Sequence, residues 1–204
     1  MYKKYLKRFI DVLICVMSLP IYILLFIIFG FLIKHEDKGP ILYKGERIGK
    51  DGKIFKMLKF RSMNVNSEIL LSEDGTAYNL KDDLRVTKIG KYMRENSIDE
   101  IPQIINVLKG EMSIIGPRAS LPWDLSTFKA DEVDKMKVRP GITGYTQAYY
   151  RNSIPSREKR IMDAWYANNI SFLLDMKIFF RTIRTVVMHE GIYPSENIKV
   201  KNKQ

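Results

Sequence analysis

An uncharged apolar run near the N-terminus constrains this chain more than any other feature of its sequence. Residues 12–33, VLICVMSLPIYILLFIIFGFLI, are 22 consecutive residues without a charge. At about 1.5 Å per residue, a continuous helix of that length is roughly 33 Å long, which matches the hydrocarbon core of a bilayer. The run is too long for a cleaved signal peptide, and no small-residue cleavage site follows it. The sequence therefore predicts a helix inserted in a membrane.

Pro20 lies near the middle of this run. Because proline lacks an N–H and clashes with the preceding turn, we expect the helix to kink or break at Ser18-Leu19-Pro20. Four Lys and Arg precede the run and the other 30 of 34 follow it. A re-entrant helix that enters and leaves through one face keeps both basic flanks on the same side, as the positive-inside tendency favours. An ordinary kinked span is the alternative that remains open.

The charge of the chain restricts its partners. Its 34 Lys and Arg outnumber 23 Asp and Glu, and the net charge of +11 indicates an anionic partner: nucleic acid, an anionic membrane surface or a phosphorylated substrate. The sequence shows no helix-turn-helix, aromatic RNA-binding motif or zinc pattern, and a membrane segment argues further against nucleic-acid binding. One cysteine, Cys15, and two separated histidines predict neither disulfides nor a metal cluster.

The middle of the chain predicts a β-hairpin. Two β-prone runs flank Asp51-Gly52, the usual pair for a two-residue turn. Spacing alone favours a solvated edge for the basic residues of this hairpin, which are Lys44, Arg47, Lys56, Lys59 and Arg61. Residues 64–84 are polar and acidic, and we expect them to form a loop or a lid over a short helix.

The C-terminal third predicts two amphipathic helices, near 155–169 and 171–188. The second has an apolar face and a basic face, so it either packs on the core or lies on an anionic membrane surface. The expected fold is a mostly helical α/β protein. Its predicted organisation is a membrane-inserted segment at 1–38, a small mixed domain at 39–194 and a polar basic tail at 195–204.

Two adjacent carboxylates, Asp99 and Glu100, lie in the stretch RENSIDEIPQ at 94–103. The spacing Ser97-x-x-Glu100 fits a capping box for a helix over 97–109 closed by Gly110, and local spacing favours this interpretation. The chemical alternative assumes a diphosphate substrate. One carboxylate would then bind a divalent cation, and the other would attack phosphorus to form an acyl phosphate.

Two Gly/Pro turns each carry an arginine. Residues 116–118 read GPR and residues 139–144 read RPGITG. Such turns are suited to presenting backbone N–H groups and a guanidinium to a phosphate. Either turn alone is common in proteins, so the prediction depends on their combination with the other motifs.

Taken in order, six stretches resemble the motifs of one protein family. They are KFRSM at 59–63, DLRVT at 83–87, RENSIDEIPQ at 94–103, NVLKGEMS through GPR at 106–118, RPGITG at 139–144 and LDMK at 174–177. The family is the bacterial sugar transferases, the monotopic polyprenol-phosphate phosphoglycosyl transferases. The resemblance extends from residue 7 to about residue 192 and is closest to short members without extra transmembrane helices.

The resemblance implies transfer of a sugar-1-phosphate from a UDP-sugar to undecaprenyl phosphate, releasing UMP and initiating polysaccharide or glycoconjugate synthesis. It implies that Asp99 is a nucleophile that forms a covalent phosphosugar intermediate, and that Glu100 binds Mg²⁺. The other site residues carried over are Lys59, Arg61, Arg94, Arg118, Arg139 and Arg151 as phosphate contacts, with Asp175 as a supporting residue.

The resemblance also implies a location. It places a re-entrant helix, broken at a proline, in the bacterial inner membrane, with the catalytic domain on the cytoplasmic face. It is compatible with a homodimer.

Two departures from the family pattern concern the predicted substrate pocket. Residues 117–119 read PRA where the family often has PRP, and Tyr145 and Tyr150 stand where it has Trp and Gly. The alternative function is a non-catalytic membrane scaffold for polysaccharide assembly. A scaffold needs the anchor and the basic surface, but it has no need of Asp99, Glu100 and the ordered Arg and Lys motifs together.

Overall fold

A computed structural model describes residues 1–68 and 83–189 of the 204-residue chain. A π-helical turn, Tyr2–Leu6, comes first. The helices and strands that follow are α1 (Lys7–Asp37), β1 (Leu42–Ile48), β2 (Ile54–Phe60), α2 (Lys88–Glu95), α3 (Gln103–Lys109), β3 (Ser113–Ile115), β4 (Gly141–Thr143), α4 (Tyr145–Tyr149), α5 (Ser156–Asn168) and α6 (Phe172–Val187). The coarser part of the predicted fold is confirmed, since a long apolar helix precedes a small, mostly helical mixed domain with a hairpin. The re-entrant arrangement stays a prediction.

Helix α1 differs from the sequence prediction in its continuity. Together with the preceding turn, it is long and apolar enough to cross a membrane, and no other helix in residues 1–68 and 83–189 passes that test. Its helical backbone runs through Pro20, so the predicted break is not seen as an interruption. The Ser18 hydroxyl donates to the Cys15 carbonyl at 2.9 Å, as Ser often does near a helix proline.

Both ends of α1 contact the folded domain. Near its start, Arg8 donates to the Val107 carbonyl at 2.6 Å, and Asp11 accepts from the Ser113 hydroxyl at 2.7 Å. At its end, Glu36 accepts from two backbone N–H groups at the start of α2. Between these points, the side of α1 that faces the domain has four buried apolar residues: Cys15, Tyr22, Phe29 and Ile33.

The hairpin forms as predicted but with a longer turn. Strands β1 and β2 are antiparallel, and the last pair in the register is Ile48 with Ile54, which leaves a five-residue loop rather than two residues. Asp51 and Gly52 both have positive φ, at 57° and 76°, the left-handed conformation that Asp-Gly pairs tolerate. Gly49 N–H closes the loop on the Lys53 carbonyl at 2.7 Å.

The segment around the acidic pair is not the single helix that the capping-box interpretation predicted. Ser97 is left-handed (φ 57°), its side chain caps nothing, and only a 3₁₀ turn follows at Ile98–Glu100. Helix α3 begins after Pro102, which lacks the N–H that an interior helical residue would donate. Gly110 ends α3 in the left-handed conformation, as predicted. Helix α2, which starts at a Thr87 cap, was missed from the sequence.

The two Gly/Pro turns pack against each other rather than standing apart. Strands β3 and β4 are parallel, and Gly116 N–H donates to the Thr143 carbonyl at 2.9 Å. Gly141 N–H donates to the Pro117 carbonyl at 3.0 Å. A Cβ on Gly116 or Gly141 would lie within 2.5 Å of backbone atoms of the other turn, so this approach requires glycine at both positions.

The two predicted amphipathic helices are confirmed as α5 and α6. In α6, Asp175, Ile178 and Thr185 are buried against the domain. The opposite side of α6 has five exposed apolar residues, Phe172, Leu173, Phe180, Ile183 and Val187. The apolar face of α6 therefore points away from the core, and the ring of Phe172 contacts Tyr2 at the start of the chain, with centroids 5.8 Å apart.

Candidate active site

A cavity of about 1100 Å³ lies between the hairpin, the turn that carries the acidic pair, the loop at 118–121 and helices α4 to α6. Among the described residues, eleven Lys and Arg and only five Asp and Glu line it. This imbalance matches the net charge of the chain and makes the cavity a site for an anionic ligand. Its volume is slightly above the usual range for small-molecule sites, about 300–1000 Å³.

The acidic pair and one lysine meet at this cavity. Strand β2 carries Lys59, whose Nζ is 2.5 Å from Oε1 of Glu100 and 3.8 Å from Oδ2 of Asp99. Asp99 is 8% exposed and accepts no hydrogen bond from any other residue in the described part of the chain. Lys59 is thus engaged mainly by Glu100, and Asp99 has an incompletely satisfied carboxylate that faces the cavity.

The two carboxyl groups have opposite pKa shifts. Burial raises the pKa of Asp99 above its ordinary value, with the charge of Lys59 opposing the shift and that of Glu100 adding to it. For Glu100, burial acts in the same direction, but the charges of Lys59 and Arg118 outweigh it and the net pKa is lowered. Two neighbouring carboxyls with different protonation behaviour can take different chemical roles.

Four of the basic residues predicted as phosphate contacts line the same cavity: Lys59, Arg94, Arg118 and Arg151. Arg94 donates through Nε to the Ser62 hydroxyl at 2.8 Å, and Arg151 donates to the Ser97 hydroxyl at 3.1 Å. Ser97 therefore serves as an acceptor for an arginine instead of a helix cap. Arg118 is exposed, and its backbone N–H donates to Asp163 at 3.0 Å.

Arg61 also borders the cavity, but its guanidinium binds another part of the protein. It donates to both carboxylate oxygens of Asp37 at the end of α1, one of them at 2.7 Å. The side chain is 8% exposed. This bidentate pair joins the end of α1 to the strand that carries Lys59, so the observed contact of Arg61 is structural.

Arg139 and Asp175 are not among the described residues that line the cavity. Arg139 donates to the Gly110 carbonyl at 2.7 Å. Asp175 is 1% exposed and accepts from three donors, Tyr2 at 2.5 Å, Lys7 at 2.5 Å and Tyr166 at 2.6 Å. The structure therefore places these two residues apart from the other predicted site residues.

The Gly/Pro turns present fewer free backbone N–H groups to the cavity than the sequence predicted. The N–H groups of Gly116 and Gly141 are used between the turns, and that of Arg118 is bound by Asp163. The idea that both turns present free N–H groups to a phosphate is therefore wrong for these three positions. The bond to Asp163 instead holds the Arg118 backbone in place, and the residue lines the cavity.

Sequence reasoning missed several charged residues of the cavity. Lys44 and Arg47 line it, although spacing favoured a solvated edge for both. Buried Lys135 also lines the cavity. Its Nζ lies 3.4 Å from Asp163 and donates to the Ser120 hydroxyl at 3.0 Å. Lys135 and Asp163 are 28 positions apart in the chain, so no local motif could have revealed their pairing.

No group of three or more His, Cys, Asp or Glu residues suited to a metal ion occurs within residues 1–68 and 83–189. Within the cavity, the acidic pair offers two adjacent carboxylates as protein donors. Such a set resembles magnesium sites, which use one or two carboxylates and complete their octahedron with water and substrate phosphates. It does not resemble a zinc or calcium cage built from protein ligands alone.

Comparison with known proteins places the chain in a sequence family. A family described as Bacterial sugar transferase matches residues 2–189. "Exopolysaccharide production protein ExoY" of Sinorhizobium fredii is 38% identical over 198 residues, which cover 92% of this chain and 88% of the relative.

Two longer relatives match over the same part of this chain. "UDP-galactose-lipid carrier transferase" of Erwinia amylovora is 36% identical over 201 residues, covering 93% of this chain and 42% of the relative. "Undecaprenyl-phosphate galactose phosphotransferase" of Salmonella typhimurium is 36% identical over 202 residues, with 93% and 42% covered. The chain thus spans less than half the length of these two relatives.

Proposed function

Because the chain belongs to the bacterial sugar transferase family, we propose that it transfers a sugar-1-phosphate from a UDP-sugar to undecaprenyl phosphate. The observation that carries the proposal is the partly satisfied carboxylate of Asp99 beside the Lys59–Glu100 pair in a cavity lined by cations. The names of two relatives mention a UDP-sugar and undecaprenyl phosphate, the donor and acceptor classes that the proposal adopts.

The first step proposed is attack by Asp99. A carboxylate oxygen of Asp99 forms a bond to the phosphorus that carries the sugar, and the bond from that phosphorus to the bridging oxygen breaks. The electron pair leaves with UMP, which gains a negative charge, and the sugar phosphate stays on Asp99 as an acyl phosphate. Lys59, Arg94 and Arg151 are placed to stabilise the anionic oxygens around this phosphorus.

The second step proposed regenerates the carboxylate. A phosphate oxygen of undecaprenyl phosphate attacks the same phosphorus, the bond to Asp99 breaks, and a polyprenyl-diphosphate sugar is released. The raised pKa of Asp99 indicates a carboxylate that is poorly stabilised by its surroundings, which favours attack on phosphorus over a resting ion pair.

Mg²⁺ is the cofactor proposed for this site, with Glu100 as its protein ligand. The lowered pKa of Glu100 keeps that group ionised, as a metal ligand requires. The cation would neutralise part of the diphosphate charge. In the structure Lys59 holds Oε1 of Glu100, so binding of a cation there involves rearrangement of this pair.

A re-entrant α1 is the membrane arrangement proposed. Because Arg8 and Asp11 at one end and Glu36 at the other all bind the same folded domain, a straight span would separate ends that the protein holds together. The exposed apolar face of α6 lies next to the start of α1 through the Tyr2–Phe172 contact. We place this face on the lipid surface, with the domain on the cytoplasmic side.

The activity is tested by UMP release. The purified chain in lipid nanodiscs is incubated with undecaprenyl phosphate, Mg²⁺ and each member of a panel of UDP-sugars, and UMP is quantified. The proposal predicts release with at least one donor, dependent on Asp99. Asp51→Asn, a change at an exposed loop, is the matched control and retains activity. A protein that releases no UMP from any donor is the scaffold of the alternative function and contradicts the proposal.

Membrane topology is tested by labelling single cysteines placed at exposed Lys4 or Lys129 in a Cys15→Ser background. Both positions should react with a membrane-impermeant reagent only from the cytoplasmic side. Reaction from opposite sides would refute the re-entrant arrangement and leave the proposed activity untouched.

A further inference from the structure

Glu132 is a completely buried carboxylate with no part in the proposed chemistry. It is 0% exposed, and it precedes the 3₁₀ segment Val133–Lys137. Its Oε2 accepts from Nε of Arg160 at 2.7 Å, and its Oε1 lies 3.3 Å from Nε of Arg157 without forming a hydrogen bond. Burying a carboxylate carries a large desolvation cost that an ion pair seldom recovers in stability. A role in positioning another side chain would explain why a carboxylate is buried here.

The residue that Glu132 positions is Arg160, which lines the cavity. Glu132 engages only its Nε, and the guanidinium lies over the ring of Phe128, 5.4 Å from the centroid. Within the described part of the chain, neither Nη group makes a hydrogen bond, and Arg160 forms an ion pair with Glu132 alone. The result is a fixed guanidinium fork with two donor groups left over, the geometry that binds phosphate through two oxygens.

Arg160 belongs to a group of basic residues in the cavity that also includes Arg118 and Lys135. Burial lowers the pKa of Lys135, and the positive charges of Arg160 and Arg118 lower it further. The charge of Arg118 also helps to lower the pKa of Glu100. All four residues, Glu100, Arg118, Lys135 and Arg160, line one cavity. Lys135 is paired with Asp163, whereas Arg118 forms no ion pair in the described part of the chain and Arg160 pairs with Glu132 alone.

We propose that Arg160, positioned by Glu132, binds the phosphate of the nucleoside monophosphate that leaves when the donor is cleaved. This inference rests on the proposed function and assigns one phosphate of the diphosphate to Arg118 and Arg160. The sugar-bearing phosphorus lies at Asp99, and the nucleotide-bearing phosphorus lies towards Arg118 and Arg160. Because bond cleavage adds a negative charge to the nucleotide phosphate, a fixed arginine there binds the leaving group more strongly than the intact donor.

The experiment measures nucleotide binding without any sugar substrate. Isothermal titration calorimetry of the full chain in nanodiscs gives the Kd of UMP and, as a phosphate-free reference, of uridine. Arg160→Met should weaken UMP binding by about tenfold or more, the usual size of a charge-assisted hydrogen bond, and leave uridine binding unchanged. Glu132→Gln should produce a smaller loss, again for UMP alone, because the guanidinium loses its fixed orientation.

Arg157→Met is the matched control. Arg157 is on the same helix and contacts the same carboxylate, but it is half exposed and is not among the described residues that line the cavity. Its UMP affinity should stay within about twofold of the wild type. Circular dichroism checks that each variant is folded. If Arg160→Met is unfolded, Glu132→Gln and Arg160→Gln decide the question.

Two results overturn the inference. One is equal UMP affinity in wild type and folded Arg160 variants, and the other is a wild type that binds UMP no better than uridine. Either result leaves the proposed activity standing if UMP is still released from a UDP-sugar in an Asp99-dependent manner. Conversely, loss of that activity with intact Arg160-dependent UMP binding would refute the proposed transfer and keep a nucleotide site.

Discussion

Asp99 and Asp175 are both buried aspartates on motifs of the same family, but their surroundings satisfy them to different degrees. Asp175 accepts hydrogen bonds from two tyrosines and a lysine and is closed off from the cavity. Asp99 has one cation at 3.8 Å, which is engaged more closely by Glu100, and it faces the cavity. Asp175 therefore has three hydrogen-bond donors, whereas Asp99 has none from another residue in the described part of the chain.

We propose that this difference separates a structural carboxylate, Asp175, from a reactive one, Asp99. The donors of Asp175 come from the turn at Tyr2–Leu6, from α1 and from α5, so the residue joins the long apolar helix to the folded domain. Burial, reinforced by the charge of Asp175, raises the pKa of Tyr166, which keeps that hydroxyl protonated as a donor. Both aspartates belong to family motifs, but of the two only Asp99 lines the cavity.

The largest expected effect is on turnover. Asp99→Asn should reduce UMP release at least about 10³-fold, because an amide cannot attack phosphorus. Asp175→Asn, in protein that remains folded, should keep turnover within about tenfold of the wild type. Initial rates at saturating donor measure both. Equal losses in the two variants would remove the distinction between the two aspartates.

The second expected effect is on stability at Asp175. Asp175→Ala removes the carboxylate acceptor of the Lys7 ammonium and of two tyrosine hydroxyls, and the free energy of unfolding should fall by about 3–5 kcal/mol. Denaturant unfolding in detergent micelles, followed by circular dichroism, measures the loss. Asp134→Ala, at a carboxylate on the surface, is the control and should change stability far less than Asp175→Ala. A loss at Asp175 no larger than that of the control would contradict the anchor role.

Substitution at Asp99 should have the opposite sign. The folded-state pKa of Asp99 is raised above its unfolded value, so its contribution to stability is present at low pH and is lost as pH rises through the raised pKa. At neutral pH, Asp99→Asn should therefore be at least as stable as the wild type while inactive. Unfolding measured across the acidic to neutral range should show a fall in wild-type stability that the variant lacks. A variant less stable than the wild type at neutral pH would argue that Asp99 is well satisfied.

The smallest effect tests one donor of the anchor. Tyr2→Phe removes a single hydroxyl from Asp175 and should cost about 1 kcal/mol of stability without changing turnover. Tyr5→Phe, at an exposed ring in the same turn, should have no measurable effect on either quantity. Thermal unfolding and the UMP assay are read together. A fall in turnover without a loss of stability would indicate that Asp175 acts on the substrate after all.

The sequence predicted the elements whose signals are local and long. The uncharged run became α1, the periodic apolar positions became α5 and α6, and Gly110 ended α3. The left-handed turn at Ser97 could not be predicted, because the Ser97 hydroxyl accepts from Arg151, which lies 54 positions away in the chain. The spacing Ser97-x-x-Glu100 is compatible both with a capping box and with the left-handed turn that the structure has.

The site was predictable where the family motifs carry residues that face the cavity. Lys59, Arg94, Arg118 and Arg151 meet around the acidic pair, whereas Arg139 and Asp175 sit in equally recognisable motifs and bind other parts of the protein. A motif records which residues occur together but does not say which way a side chain faces. The Glu132–Arg160 pair has no motif at all, since 28 positions separate its members.

The most direct test of the central claim is to detect the covalent intermediate on Asp99. The full chain is incubated with a reactive UDP-sugar and Mg²⁺ but without undecaprenyl phosphate, and it is analysed by intact and peptide mass spectrometry. We predict an added mass of one sugar phosphate on the peptide that contains Asp99, lost on addition of the lipid acceptor and absent from Asp99→Asn. An unmodified wild type that still transfers sugar phosphate when the lipid is added, or an adduct retained in Asp99→Asn, would contradict the account.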